Sequence, residues 1–200
     1  LFAGMIPDYL SSHCNRNNIT SYDFMKMNDV AILNAIATAE GTIAEAIKRS
    51  PINLHGSKSL VLGFGRCAQV LASKLKAFDV DIYVSARGKD AIALATAYGY
   101  HGILLDNLEK DLNNFDFVFN TIPAMILTRD KLEKLSPYVT IIDIASAPGG
   151  LDYGAAESLN LNASLCLGLP GIYSPKSSGE ILADVVETIL IERSGEFETK

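Results

Sequence analysis

The clearest chemistry in this chain lies in six residues, Gly63-Phe64-Gly65-Arg66-Cys67-Ala68, which read G-x-G-x-x-A. A short apolar run, Ser59 to Leu62, leads into them. Apolar residues at helical spacing follow, at Ala68, Leu71, Ala72, Leu75 and Phe78. In such a strand–turn–helix, Gly63 permits the tight turn and Gly65 lets the backbone approach a pyrophosphate. Ala68 lets the helix pack close to the sheet. The helix start, at Arg66 and Cys67, offers free N–H groups and positive potential to phosphates. The pattern predicts a dinucleotide site formed by Gly63, Gly65, Arg66, Cys67 and Ala68; the alternative is a turn that uses glycine for packing alone. At a helix start, Cys67 is either a thiol of lowered pKa or a small packing residue.

The next strand, Asp81 to Val84, distinguishes between cofactors. Sites for NAD carry Asp or Glu about 20 residues past the glycines, where it accepts from the ribose 2′-hydroxyl. Here the sequence is Ser85-Ala86-Arg87. No carboxylate stands there to repel a 2′-phosphate. Arg87 supplies a planar fork of donors and Ser85 a hydroxyl, so NADP is the expected cofactor. Lys89 adds charge.

Ligands of such folds sit beyond the carboxyl ends of the strands. Three more segments arrive there. Asn120-Thr121-Ile122-Pro123 ends one strand, with Asn120 a candidate for catalysis and Thr121 and Pro123 for the cofactor wall. Asp143 interrupts an apolar strand and therefore needs a hydrogen-bond partner if buried. After it, Ser146 to Gly150 is read as a flexible loop whose amides, with Ser146, Gly149 and Gly150 foremost, are free for a ligand. Gly168 to Gly179 is read as a loop that brings Pro170 to the cofactor and Lys176, a second candidate for catalysis, to a carboxylate. The three cysteines and three histidines are scattered, with no metal-ligand spacing, and no metal is expected. No Ser/His/Asp arrangement stands out.

These loops need elements to hold them. Apolar strands at 59–62, 81–84, 102–105, 115–120, 139–144 and 163–167 alternate with helical stretches. That grammar predicts a doubly wound parallel-sheet α/β Rossmann domain with helices on both faces, strand order 3-2-1-4-5-6, plus an N-terminal helical arm. Residues 1–27 read as irregular. From Asn28, read as an N-cap, the chain is helical to Ser50-Pro51, as one helix or as two meeting near Thr38. Asp106 with Glu109, and Ser177 with Glu180, have capping-box spacing. A last helix buries Ile181, Leu182, Val185 and Ile189. The expected organisation is an arm at 1–56, the dinucleotide domain at 57–176, and a C-terminal helix at 177–200 that packs back on the arm.

The 200 residues are 48% hydrophobic, ample for a packed core, with a net charge of −6. A pI near 5.0 argues against nucleic acid or an anionic membrane as the main partner. No run of apolar residues reaches the roughly 18 that a membrane span needs, and no signal peptide opens the chain. The expected compartment is the cytoplasm.

Several stretches together resemble the dipicolinate synthase A-subunit family of spore-forming bacteria. They are Asp29 to Ile32, Thr38-Ala39-Glu40-Gly41-Thr42-Ile43, Leu62 to Arg66, Asn120 to Pro123, Ala145 to Gly150, Gly168 to Ile172, Pro175-Lys176 and Gly179 to Ala183. The likeness runs from about residue 28 to residue 190. It implies NADP-dependent oxidation of a dihydrodipicolinate-type intermediate of the lysine pathway to pyridine-2,6-dicarboxylate. It also implies the flavoprotein-like B-subunit of dipicolinate synthase as partner, a homo-oligomer, and action in the mother-cell cytoplasm during sporulation. Family members carry an N-terminal domain ahead of the Thr-Ala-Glu-Gly helix, so Leu1 is expected to follow a segment outside this sequence. The resemblance places Thr38 and Glu40 in the substrate cleft, although Ala37 stands where the family has proline. The substrate carboxylates then fall to Arg66, Lys176 and the amides of Ser146 to Gly150. Two alternatives stay open: a dinucleotide-binding regulatory or scaffold protein without chemistry, and another small-acid dehydrogenase, of the 2-hydroxy-acid or shikimate type, on the same fold.

Overall fold

A computed structural model of the protein describes residues 1–198. Residues 1–27 are more ordered than their polar composition suggests. Strand β1 (Phe2–Ala3), helix α1 (Asp8–Arg16) and strand β2 (Tyr22–Asp23) form a small unit in which β1 and β2 pair in parallel. The Phe2 ring stacks on Tyr22 with centroids 4.9 Å apart. Asp23 accepts from the amides of Met5, Ile6 and Met25, which ties the unit together. Sequence patterning misses this unit because two-residue strands leave no periodic signal.

Helix α2 (Asn28–Arg49) is continuous. Met27 is its cap and Asn28 its first residue, so the expected Asn28 N-cap is corrected by one position. Thr38 and Thr42 bond back to the carbonyls of Asn34 and Thr38, at 2.9 and 2.7 Å, and so stay within the helix. Gly41 marks a close approach rather than a break: a Cβ there would lie 2.9 Å from both Leu169 Cβ and the Tyr173 ring. By length and hydropathy alone α2 is apolar enough to span a membrane, and half of its most apolar stretch is buried within the fold.

The main sheet is six-stranded and wholly parallel: β3 (Lys58–Leu62), β4 (Asp81–Ala86), β5 (His101–Leu104), β6 (Phe117–Asn120), β7 (Thr140–Asp143) and β8 (Asn162–Leu165). Its order is β5-β4-β3-β6-β7-β8, the doubly wound arrangement expected. Alternation along β3 divides the core. Val61 packs with Ala39, Ile43 and Leu71 on one face; Leu60 and Leu62 pack with Leu108, Leu132 and Ala155 on the other. Helix α3 (Arg66–Lys76) follows β3, and α4 (Lys89–Ala97) follows β4. The segment Leu105–Lys110 is a 3-10 helix without a side-chain cap, so the Asp106/Glu109 capping box does not form. Glu109 instead faces Lys134. Short α5 (Arg129–Leu132) and α6 (Tyr153–Ser158) flank β7, with Asp152 capping α6 through the Ala155 amide at 2.9 Å.

The stretch read as one loop from Gly168 to Gly179 is largely helical: α7 (Leu169–Tyr173), then α8 (Pro175–Glu198). Because α8 begins at Pro175, Ser177 lies inside it and does not cap it, which corrects the Ser177/Glu180 box. Helix α8 packs on α2 and α7, with Ile181, Leu182, Val185 and Ile189 half-buried. Helix α7 is anchored to α2 through Glu45, which accepts from the Tyr173 hydroxyl and, at 2.7 Å, from Arg49 Nε.

Candidate functional site

The glycine turn sits at the carboxyl end of β3. The Gly63 amide donates to the Ser85 carbonyl at 2.8 Å, and its φ of +95° lies in the region that favours glycine. A Cβ at Gly63 would lie 2.5 Å from Thr121 Oγ1. That hydroxyl is fixed by donating to the Leu62 carbonyl at 2.8 Å. At Gly65, by contrast, a Cβ would meet nothing within 4 Å. The protein does not need a glycine there for its own packing. The amides of Arg66, Cys67 and Ala68 find no backbone acceptor among the described residues, as expected for the first turn of α3. Ala68 is fully buried beneath them. Burial pushes the Cys67 thiol up to about 11, opposite to the lowering an activated thiol would show.

Beside the turn, toward β6, lies a cavity of about 400 Å³ bounded by Asn34, Thr38, Gly65, Arg66, Cys67 and Thr121, among others. The Arg66 guanidinium reaches Asn28 Oδ1 at 2.7 Å and stays exposed. Asn34 is a residue that the sequence reading misses. It stands one helical turn before Thr38, and the polar pair at that spacing in an apolar helix is the available signal. Glu40 is not in the cavity, which corrects its placement beside Thr38. Residues two apart on a helix point about 200° apart. Glu40 therefore faces α3 and pairs with Lys74 at 2.8 Å.

The end of β4 separates its two candidates. Ser85 is fully buried opposite Leu62, and its hydroxyl has no partner among the described residues. It faces the interior and not the ligand side, so its expected contact with a 2′-phosphate is corrected. Arg87 and Lys89 are exposed and form no ion pair among the described residues. A free guanidinium, with no carboxylate at Ala86, is the electrostatic setting for an anionic ribose substituent.

The ends of β6 and β7 form a buried polar knot. The Asp143 carboxylate is fully buried and accepts four hydrogen bonds: from Asn120 Nδ2 at 2.8 Å, the Ala145 amide at 2.9 Å, the Gly150 amide at 2.8 Å and the Tyr153 hydroxyl at 2.6 Å. Burial, then the bond to Asp143, pushes the Tyr153 hydroxyl well above the usual phenol range. Asn120 also bonds across its own turn, Nδ2 to the Ile122 carbonyl and Oδ1 from the Ile122 amide. The side chain expected to be catalytic is therefore fully buried, with its amide and carbonyl both bonded within the protein. The loop amides are committed as well. Gly149 donates to the Ser146 carbonyl and Gly150 to Asp143, so these two are not free for a carboxylate. Ser146 and Pro123 are exposed at the same sheet edge, and Pro170 is half-buried in α7. Lys176 lies on the first turn of α8, well exposed, with Glu180 at 3.7 Å as its charged neighbour. It does not line the cavity.

An open Gly65, a left-handed Gly63, unpaired amides at the start of α3 and a free cation past β4 together fit a dinucleotide. Residues 24–148 match the family described as D-isomer specific 2-hydroxyacid dehydrogenase, NAD binding domain. The chain is 36% identical to the A-subunit of dipicolinate synthase from Bacillus subtilis over 98% of its own length and 66% of that protein's. The crystal structure of that relative superposes with a TM-score of 0.92, covering 98% of this chain and 65% of the other. The A-subunit of dipicolinate synthase from Bacillus halodurans gives 0.88 at 37% identity, covering 94% and 65%. A transhydrogenase from Sinorhizobium meliloti, at 15% identity and a TM-score of 0.77 over 94% and 66%, shares the fold. The chain thus spans just under two thirds of the length of these relatives. By sequence and by structure, it belongs to the D-isomer specific 2-hydroxyacid dehydrogenase NAD binding domain family and is a homologue of the dipicolinate synthase A-subunit.

Proposed function

We propose that the chain is the NADP-binding part of an oxidoreductase that converts a dihydrodipicolinate-type ring to pyridine-2,6-dicarboxylate. The observation that carries the cofactor reading is the pairing of an open Gly65 turn with the unpartnered Arg87 at the end of β4. The likeness to the dipicolinate synthase A-subunit supports the substrate.

The residues divide the work. The amides of Arg66, Cys67 and Ala68 hold a pyrophosphate at the positive end of α3. Arg87 holds the 2′-phosphate with charge-assisted bonds. Thr121 fixes the wall beside the turn, and the Asn120–Asp143 knot keeps the sheet edge rigid around it. A bound nicotinamide dinucleotide supplies the acceptor for a hydride. The ring also releases one proton, and its gain of aromaticity makes the step favourable, so positioning is the main demand on the protein. No residue lining the cavity is a carboxylate or histidine, and the proton leaves to water. The dicarboxylate substrate, a flavoprotein-like B-subunit as partner, a homo-oligomeric assembly and the cytoplasm of a sporulating mother cell complete the proposal, all on the strength of the same likeness.

The absence of an acid–base group from the cavity lining also favours a second reading, a dinucleotide-binding protein without chemistry. One experiment tests both. Enzymatically made 4-hydroxy-tetrahydrodipicolinate is mixed with NADP and the protein, with and without the B-subunit, and reduced nicotinamide is followed by absorbance. The proposal predicts a signal in at least one mixture. Tight NADPH binding with no signal in either mixture supports the second reading. A panel of 2-hydroxy acids in the same assay checks the other dehydrogenase chemistry of this fold.

A further inference from the structure

The strand order places the two ends of a dinucleotide. Arg87 follows β4 on one side of the glycine turn, and Thr121 follows β6 on the other. If the dinucleotide's 2′-phosphate is at Arg87 and its pyrophosphate at the start of α3, its nicotinamide half runs toward β6. The cavity of about 400 Å³ lies on that side. Its size falls within the roughly 300–1,000 Å³ usual for small-ligand sites.

The lining of that cavity is selective. Val30, Ala31, Ala35 and Ala68 make it largely apolar, as the face of a heteroaromatic ring requires. Asn34 is the one carboxamide side chain in the lining. It makes no side-chain hydrogen bond among the described residues, and its Oδ1 is shut off from solvent without a donor. A buried acceptor without a donor is costly, and a ligand that supplies one gains what the free protein forgoes. The amide offers one donor and one acceptor side by side, so the complementary ligand group also carries both. A second carboxamide does. Arg66, by contrast, is held at the rim by Asn28.

We propose that Asn34 reads the nicotinamide carboxamide, and that α2, outside the glycine turn, is a specificity wall of the cofactor site. This rests on the dinucleotide reading given above. The test is a pair of binding titrations, with NADPH and with 2′-phospho-ADP-ribose, which keeps both ends of the phosphate chain but lacks nicotinamide. Asn34→Leu is expected to weaken NADPH about tenfold and to leave 2′-phospho-ADP-ribose within about twofold. Equal losses for the two ligands, or no loss for NADPH, overturn the role of Asn34 while leaving the dinucleotide reading intact. Failure of the unmutated protein to bind either ligand overturns both readings together. A measurement on the unmutated protein covers the case of a poorly folded variant. The 3-acetylpyridine analogue of NADP, which lacks the carboxamide N–H donors, is expected to bind about tenfold more weakly than NADP. Equal affinity overturns the proposal.

Discussion

Asn120 and Asp143 are register partners at the last positions of β6 and β7, and their side chains are joined by a 2.8 Å hydrogen bond, both fully buried. The carboxylate gathers donors from three directions: Asn120 across the sheet, Ala145 and Gly150 along its own loop, and Tyr153 from α6. One side chain thereby ties together the ends of β6 and β7 and the start of α6. Gly150 is held so closely that a Cβ there would lie 2.1 Å from Asn120 Nδ2.

Replacement of that carboxylate leaves buried donors without an acceptor. Asp143→Asn is expected to cost about 2–4 kcal/mol. For a domain of this size that lowers the melting temperature by about 5–15 °C. Tyr153→Phe removes one of the four bonds and is expected to cost about 1–2 kcal/mol. Thermal unfolding followed by circular dichroism checks both, and an unchanged melting point for Asp143→Asn would show that the knot does not hold this edge.

The two glycines of the turn separate folding from binding. Gly63→Ala forces a side chain into a positive φ and against the Thr121 hydroxyl, so both stability and dinucleotide affinity are expected to fall. Gly65→Ala meets no protein atom within 4 Å. Its melting temperature is expected to change by no more than a few degrees, while NADPH affinity drops by at least about tenfold because the methyl occupies the approach to the phosphates. Titration and melting of the two variants side by side distinguish these outcomes; undiminished binding by Gly65→Ala would mean that the open space serves no ligand.

Glu45 gives the fold a pH dependence. The hydroxyl bond from Tyr173, with the neighbouring Arg49, holds its carboxyl below the ordinary value of 4.5. A carboxyl whose folded pKa is depressed stabilises the fold fully above its unfolded pKa and loses that contribution as the pH falls through the folded value. Stability of the unmutated protein is therefore expected to decline below pH 4.5 more steeply than that of Glu45→Gln. The variant is expected to be the less stable of the two at neutral pH, by about 1–3 kcal/mol, since its buried site loses the charge that Tyr173 and Arg49 bond to. Melting temperatures at a series of pH values read this directly. Parallel curves would remove Glu45 as the source.

The sheet and its glycine turn are legible in the sequence because both leave local marks: apolar runs punctuated by glycine, and small residues at fixed spacing before an amphipathic helix. Long-range contacts leave none. By propensity Gly41 only weakens the middle of a helix; that α7 presses against it leaves no local mark. Ser85 reads as a ligand contact until its direction across the sheet is known, and Lys176 as a carboxylate binder until α8 carries it out to solvent. Asp143 announces a partner without naming it; the four donors come from residues up to 23 positions away. The amides of Gly149 and Gly150 read as free for a ligand because sequence shows donors but not the acceptors that already occupy them.

In the proposed function this chain binds a dinucleotide with a 2′-phosphate through Arg87. Titration of NADPH and NADH into the unmutated protein and Arg87→Ala tests it most directly. The unmutated protein is expected to bind NADPH at least about tenfold more tightly than NADH, and Arg87→Ala to lose most of that preference with NADH little changed. NADH bound as tightly as NADPH, or equal losses of both in Arg87→Ala, would contradict it.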